Sequence, residues 1–97
     1  MLKLQVATAF KKDLKKSKKQ GRDIALLEEI IENLQKELPL QEKFKDHNLI
    51  GNWKGYRECH LEPNWLLIYK VESGKVKLLR LARLGSHSEF YQMVVYQ

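Results

Sequence analysis

Three apolar runs in the C-terminal half, "YRECHLE", "WLLIYKVE" and "KVKLLRLAR", constrain the fold of this chain more than any other feature. Pro63-Asn64 and Ser73-Gly74 separate them, and both pairs favour tight turns, so the segment predicts a meander of three antiparallel strands. A sheet with an apolar face has to be covered. The cover lies upstream. Leu2, Leu4 and Val6 alternate with Lys3 and Gln5, the period of a half-buried strand. "TAFKKDLKKSKKQG" predicts a basic helix capped by Thr8, with Phe10 and Leu14 as a thin apolar stripe and Gly21 as its stop. Asp23 caps a second helix in which Ile24, Leu27, Ile31, Leu34 and Leu38 recur at spacings of three and four, and Pro39 stops it. Residues 39–55 read mostly as loop, with room for a short edge strand. The expectation is an α+β fold in which an N-terminal strand and a two-helix hairpin pack on one face of a small, mainly antiparallel β-sheet. A chain of 97 residues suits one core rather than two, so residues 1–97 are expected to form a single domain.

Charge narrows the partner. Lys+Arg outnumber Asp+Glu by 18 to 12, a formal charge of +6, which points to an anionic partner such as nucleic acid or an acidic protein segment. The six lysines of the first helix are individually a solvated face, but together they speed association with polyanions. Cys59 is the single cysteine, which excludes an intrachain disulfide. No run approaches the ~18 apolar residues of a membrane span, and no signal-like segment opens the chain, so the expected setting is the cytoplasm without membrane attachment.

If both turns are two-residue loops, Cys59, Leu61, Leu66, Ile68, Leu79 and Leu81 share the face that seats the helices. Glu58, His60, Trp65, Tyr69 and Arg80 then share an open face, aromatic, cationic and titratable. The same register puts Arg83 on the helix side unless the strand bulges.

Three histidines, His47, His60 and His87, fall in the half that carries the strands and their loops. Imidazole titrates nearest neutrality, so a cluster on an open face suits proton transfer; scattered surface histidines are the competing reading. Cys59 and His60 also invite a zinc reading, but adjacent strand residues point to opposite faces and no C-x-x-C or H-x-x-x-H spacing exists. Trp65 and Tyr69 share a face and so suit base stacking, against a plain apolar cluster for Tyr69. Arg57 and Lys54 flank the histidine strand and are candidate phosphate contacts, and Glu58 and Glu62 are general bases by type. In "RLGSHSEFY", Gly85 allows a turn that returns His87 toward Arg83, with a short helix cap at Ser86 or Ser88 as the alternative.

The stretch "KDHNLIGNWKGYRECHLEPNWLLIYK" with the later "RLGSHSEFY" resembles the YafQ branch of the RelE-type toxins of bacterial toxin–antitoxin pairs. The K-D-H histidine, the W-K-G-Y-R run, the H-L-x-P-x-W segment and the R-x-G-[ST]-H ending occur in order, and the strand, two helices and sheet of the chain agree with that RelE-like fold. The resemblance implies a metal-independent endoribonuclease, an mRNA interferase without cofactor that cuts messenger RNA in the ribosomal A site. It also implies neutralisation by an acidic antitoxin of DinJ or RelB type, in a complex for which a heterotetramer is one form. By this resemblance the functional positions fall on His47, His60, Asn64, Trp65, Arg83, His87 and Tyr91. For cleavage by the substrate's 2′-hydroxyl, which needs a base, an acid and a cation, we assign the acid to His87, the base to His60, the phosphate to Arg83 and nucleobase contacts to Trp65 and Tyr91. His47 orients the phosphate or shares the base role, and the sequence leaves the order of acid and base among the histidines open. Two positions depart from the pattern. Asn64 stands where these toxins carry an aspartate, and an amide is no base at neutral pH; Tyr91 stands where they carry a phenylalanine, adding a hydroxyl to a stacking surface. The readings that compete are a non-catalytic RNA- or ribosome-binding module and a pure antitoxin-binding domain.

Overall fold

The structure, a computed structural model, describes residues 1–90. Strand β1 (Lys3–Val6) leads into helix α1 (Thr8–Lys19) and helix α2 (Ile24–Gln35); β2 (His47–Asn48), β3 (Arg57–Glu62), β4 (Trp65–Ser73), β5 (Lys77–Gly85) and the short helix α3 (His87–Phe90) follow. One five-stranded sheet has the order β1-β5-β4-β3-β2, with β1 parallel to β5 and every other pair antiparallel. This is the α+β arrangement expected, with the predicted edge strand reduced to two residues. No helix among the described residues is long and apolar enough to cross a membrane.

Helix boundaries differ from expectation at both hairpin ends. Ala7 rather than Thr8 precedes α1, and no side chain caps it. The Asp23 carboxylate does accept from Leu26 N–H and starts α2. That helix ends at Gln35, not at Pro39, because Glu37 takes a left-handed conformation (φ 57°), leaving Leu38 50% exposed.

The larger correction concerns register. The Pro63-Asn64 turn is the expected two-residue loop, but a bulge between His60 and Glu62 moves His60 from Leu67 to Leu66. The β4–β5 loop is one residue longer than expected, so Leu79 and Leu81 face Val71 and Tyr69. A one-residue slip exchanges the faces of a strand. Trp65, Leu67 and Tyr69 therefore join Phe10, Leu27, Ile30 and Leu34 in the helix-side core, while Leu66 and Ile68 turn to the opposite face. That face is not open: Leu49, Ala82 and Phe90 cover it as a second, smaller core flanked by Trp53 and Tyr56.

Candidate functional site

The second face carries the chemistry because pairing aligns residues that are far apart in sequence. His47 lies opposite Glu58, Glu58 opposite Ile68, and Ile68 opposite Arg83, while His60 lies opposite Leu66 in the neighbouring row. Neighbouring strands are ~4.8 Å apart, so this register gathers His47, Glu58, His60 and Arg83 on a single patch. A second bulge, in which Ala82 of β5 is the extra residue against Ile68 and Tyr69, puts Arg83 opposite Ile68 rather than in the alternation of Leu79 and Leu81.

The three imidazoles form a chain. Ring centroids of His47 and His60 are 6.0 Å apart, and those of His60 and His87 are 5.1 Å apart. Under them sits Glu58, 1% exposed, with Oε1 at 3.5 Å from His47 Nε2 and 3.6 Å from His60 Nε2. Burial lowers the pKa of His60, against the upward pull of Glu58 and with help from the charges of His87, His47 and Lys45. Its ring is therefore neutral at pH 7 and able to accept a proton.

Each flanking ring is held by a neutral acceptor. Lys45, left-handed at φ 49° after the 3-10 turn Glu42–Phe44, aims its carbonyl at His47 Nδ1 at 2.6 Å. A carbonyl only accepts, so Nδ1 carries the proton and Nε2 faces Glu58. Asn64 Oδ1 accepts from the His87 backbone N–H at 3.0 Å and lies 3.2 Å from His87 Nδ1. The backbone donor identifies that atom as the amide oxygen, which fixes the ring with Nε2 outward. Ser86 caps α3 through Glu89, whose Oε1 receives bonds from Ser86 N–H and Oγ–H. His87 thus stands on a capped turn, the helical alternative of the sequence reading. Gly85 precedes it at the end of β5, where a Cβ would come within 2.9 Å of Glu89 Oε2 and 3.2 Å of the Phe90 ring.

Arg83 is clamped by Asp13. Its Nε donates to Asp13 Oδ2 at 2.7 Å and its Nη2 to Oδ1 at 3.2 Å, while Leu84 N–H also donates to Oδ2 at 2.9 Å and the Phe90 ring lies 5.3 Å from the guanidinium. The pairing strengthens the guanidinium's hold on its proton. Asp13 was not among the residues singled out from sequence, yet a signal existed. Positions 10, 13, 14 and 17 form one helical stripe, and on α1 two of them are polar. Both are buried: Asp13 holds Arg83, and Ser17 Oγ accepts from Trp65 Nε1 at 3.1 Å.

Other expected contacts resolve differently. Trp65 is 0% exposed in the helix-side core, so it has no ring surface to offer a base. Tyr69 is buried with it, its hydroxyl donating to Asp46 and its pKa pushed up by burial. Arg57 fastens the loop before β2, donating from Nε to Asp46 at 3.1 Å and from Nη1 to Asn48 at 2.6 Å. Arg80, expected beside His60, lies opposite Lys70 toward the other end of the strand and pairs with Glu72 at 3.3 Å. Lys54 is exposed just after the 3-10 turn Gly51–Trp53. Tyr91 lies outside the described residues. Cys59 faces the helix core, away from His60, and burial raises its thiol pKa, so it is not a thiolate ligand at neutral pH. Among the described residues, the group able to hold a metal is instead His47, Glu58 and His60, whose ligand atoms lie within 4.8 Å of one another, two imidazoles and a carboxylate suited to copper or zinc.

Comparison with known proteins places this geometry. The family described as "Bacterial toxin of type II toxin-antitoxin system, YafQ" matches residues 2–92. The mRNA interferase toxin YafQ of Escherichia coli K12 is 39% identical over 89 residues, 91% of this chain and 94% of that relative. Among solved structures, the E. coli DinJ-YafQ toxin–antitoxin complex matches with a TM-score of 0.84 at 38% identity, over 93% of this chain and 97% of that one. A copper-bound mutant toxin from Helicobacter pylori matches with a TM-score of 0.86 at 46% identity, over 93% and 99%. With the family match over residues 2–92 and this fold in common, the chain belongs to the YafQ toxins of bacterial type II toxin–antitoxin systems.

Proposed function

We propose that this toxin is an mRNA interferase that cuts messages in the ribosomal A site by attack of the substrate's own 2′-hydroxyl. His60 takes the 2′-OH proton, the 2′-oxygen bonds to phosphorus, and the bond to the 5′-oxygen breaks as His87 protonates it, leaving a 2′,3′-cyclic phosphate and a 5′-hydroxyl. Arg83, oriented by Asp13, meets the charge that develops on the phosphoryl oxygens. His47 orients the phosphate and shares protons with His60 through Glu58. Tyr91 contacts a base. The observation that carries this reading is the unbroken row of imidazoles, 6.0 and 5.1 Å apart, over one buried carboxylate. Acid and base must stand on either side of one phosphate, and a row of this length has that reach. Asn64 serves as a positioning residue rather than a base.

The proposed chemistry is metal-independent, every proton step being carried by a side chain. The copper-bound relative supports a separate reading of the His47–Glu58–His60 trio as a metal position. An ion there would occupy the lone pair that His60 needs as base, making the metal an inhibitor. Neutralisation by a cognate antitoxin is supported by the E. coli relative solved with DinJ; the positive charge of this chain suits an acidic inhibitor. The test is induction of wild-type and His87→Ala toxin in growing cells with message ends mapped by primer extension. Discrete new ends for wild type, lost in the variant together with growth arrest, are expected; undiminished cleavage by His87→Ala would remove His87 from the acid role.

A further inference from the structure

Beside the histidine row the fold leaves a cleft of about 550 Å³, lined by His60 and His87 as well as by residues that the cleavage chemistry does not use. Its apolar walls are Leu26 from α2, Phe44 from the 3-10 turn, and Leu61 and Pro63 at the bulged end of β3. The size falls within the ~300–1,000 Å³ of clefts that hold small-molecule ligands. Three charged groups share the lining. Lys43 places its ammonium 5.2 Å from the Phe44 ring centroid, Lys45 is exposed, and Glu62 is fixed by Arg22, which donates to its Oε1 at 3.2 Å.

We infer that this cleft is a base subsite, receiving a nucleobase next to the cleaved bond and favouring bases that carry an exocyclic amine. The inference rests on the nuclease reading above. Two cleavage residues line the cleft, so a strand whose phosphate lies against them has a flanking base within reach of it. Apolar walls suit the faces of a base, and Lys43 and Lys45 suit the phosphates on either side. Glu62 is an acceptor held in place by an arginine, and a carboxylate accepts from an amine, as on cytosine or adenine, but meets the O4 acceptor of uracil with repulsion. An acidic antitoxin segment would also meet the lysines, but the carboxylate in the wall would repel it.

The experiment compares the bases flanking mapped message ends for wild type, Glu62→Gln and Leu26→Trp, with the thermal melting of each protein as a folding control. Wild type is expected to cut beside amine-bearing bases at least tenfold more often than beside uracil at one flanking position. Glu62→Gln, whose amide both donates and accepts, should erase that preference with cutting retained. Leu26→Trp, which fills the cleft from a half-buried helix position, should lower cutting at least tenfold at unchanged melting temperature; if it melts early, Glu62→Gln decides alone. Cutting by wild type with the same base preference in Glu62→Gln overturns the subsite and leaves the nuclease reading intact. No cutting by wild type overturns both. Unchanged cutting with weakened capture of the co-expressed antitoxin assigns the cleft to the antitoxin and overturns the inference.

Discussion

Asp13→Asn is the perturbation that separates the clamp on Arg83 from the chemistry proposed for Arg83. The carboxylate accepts two guanidinium hydrogen bonds and the Leu84 N–H, and its side chain is 9% exposed against 20% for Arg83. Asparagine keeps one acceptor and turns a donor toward the Nη2 donor. Charge-assisted bonds contribute ~1.5–3 kcal/mol each, and breaking a fully buried pair costs ~3–5 kcal/mol. Arg83 is partly exposed and recovers some hydration when released, so the expected loss is about 2–3 kcal/mol. For a domain of this size each kcal/mol moves Tm by ~4–8 °C, which puts the fall at roughly 10–20 °C. The released guanidinium no longer points at one place, and misplaced groups of this kind cost up to ~100-fold in rate. The assay is thermal melting together with message cleavage normalised to folded protein, for Asp13→Asn, Arg83→Gln and the double variant. A coupling of about 2 kcal/mol in stability and non-additive losses in rate are expected. If Asp13→Asn melts early but cleaves at the wild-type rate per folded molecule, the placement of Arg83 is irrelevant to catalysis and the argument fails.

The remaining predictions concern His60, Trp65 and the imidazole–carboxylate trio. Burial lowers the His60 pKa, so as pH falls through ~6.5 the unfolded chain takes the proton before the folded chain does, and stability declines until the folded ring titrates too. Urea melts between pH 5 and 7 should show this slope in wild type and a flatter one in His60→Gln; equal slopes exclude His60 as its source. Trp65→Ala should cost ~3–5 kcal/mol, and Trp65→Phe, which loses the bond to Ser17 and part of the indole's packing, about 2 kcal/mol. In both, cleavage per folded molecule should stay at the wild-type level, and a selective loss in Trp65→Phe would restore a substrate role for the indole. Stoichiometric copper should stop cleavage, with recovery on chelation and with weaker copper binding by calorimetry in His47→Gln; unchanged rates with bound copper would separate the metal position from the active face.

Much of this was legible before the structure. Period-three-to-four patterns located both long helices because each buries one side only, and β1 and the three-strand meander also fell where expected, although no residue of β1 is fully buried. The central strand was not legible in the same way. "WLLIY" is apolar at every position because both of its faces are covered, and alternation carries no information on such a strand. One bulged residue then decided whether Trp65 or Leu66 met the helices. The histidines were legible as candidates, since His60 keeps its face whichever way its partner strand slips. Their supports were not. Asp13, Ser17 and Asp46 act through contacts 23 to 71 positions apart, which become neighbours only once the sheet forms, and the Lys45 carbonyl depends on a left-handed backbone turn.

Asn64 shows how such supports divide the labour of the site. An aspartate at this position would bring both an acceptor and a negative charge to His87; the amide brings the acceptor alone. The acceptor is what the geometry uses, since one oxygen receives the His87 backbone N–H and faces Nδ1. Negative charge is supplied elsewhere, by Glu58 beneath His47 and His60. Under the proposed mechanism a charged group at 64 would compete with the substrate phosphate for His87, whereas the amide orients the ring without adding charge. In the proposed cleavage an amide at 64 leaves the base role to His60, whose pKa burial lowers.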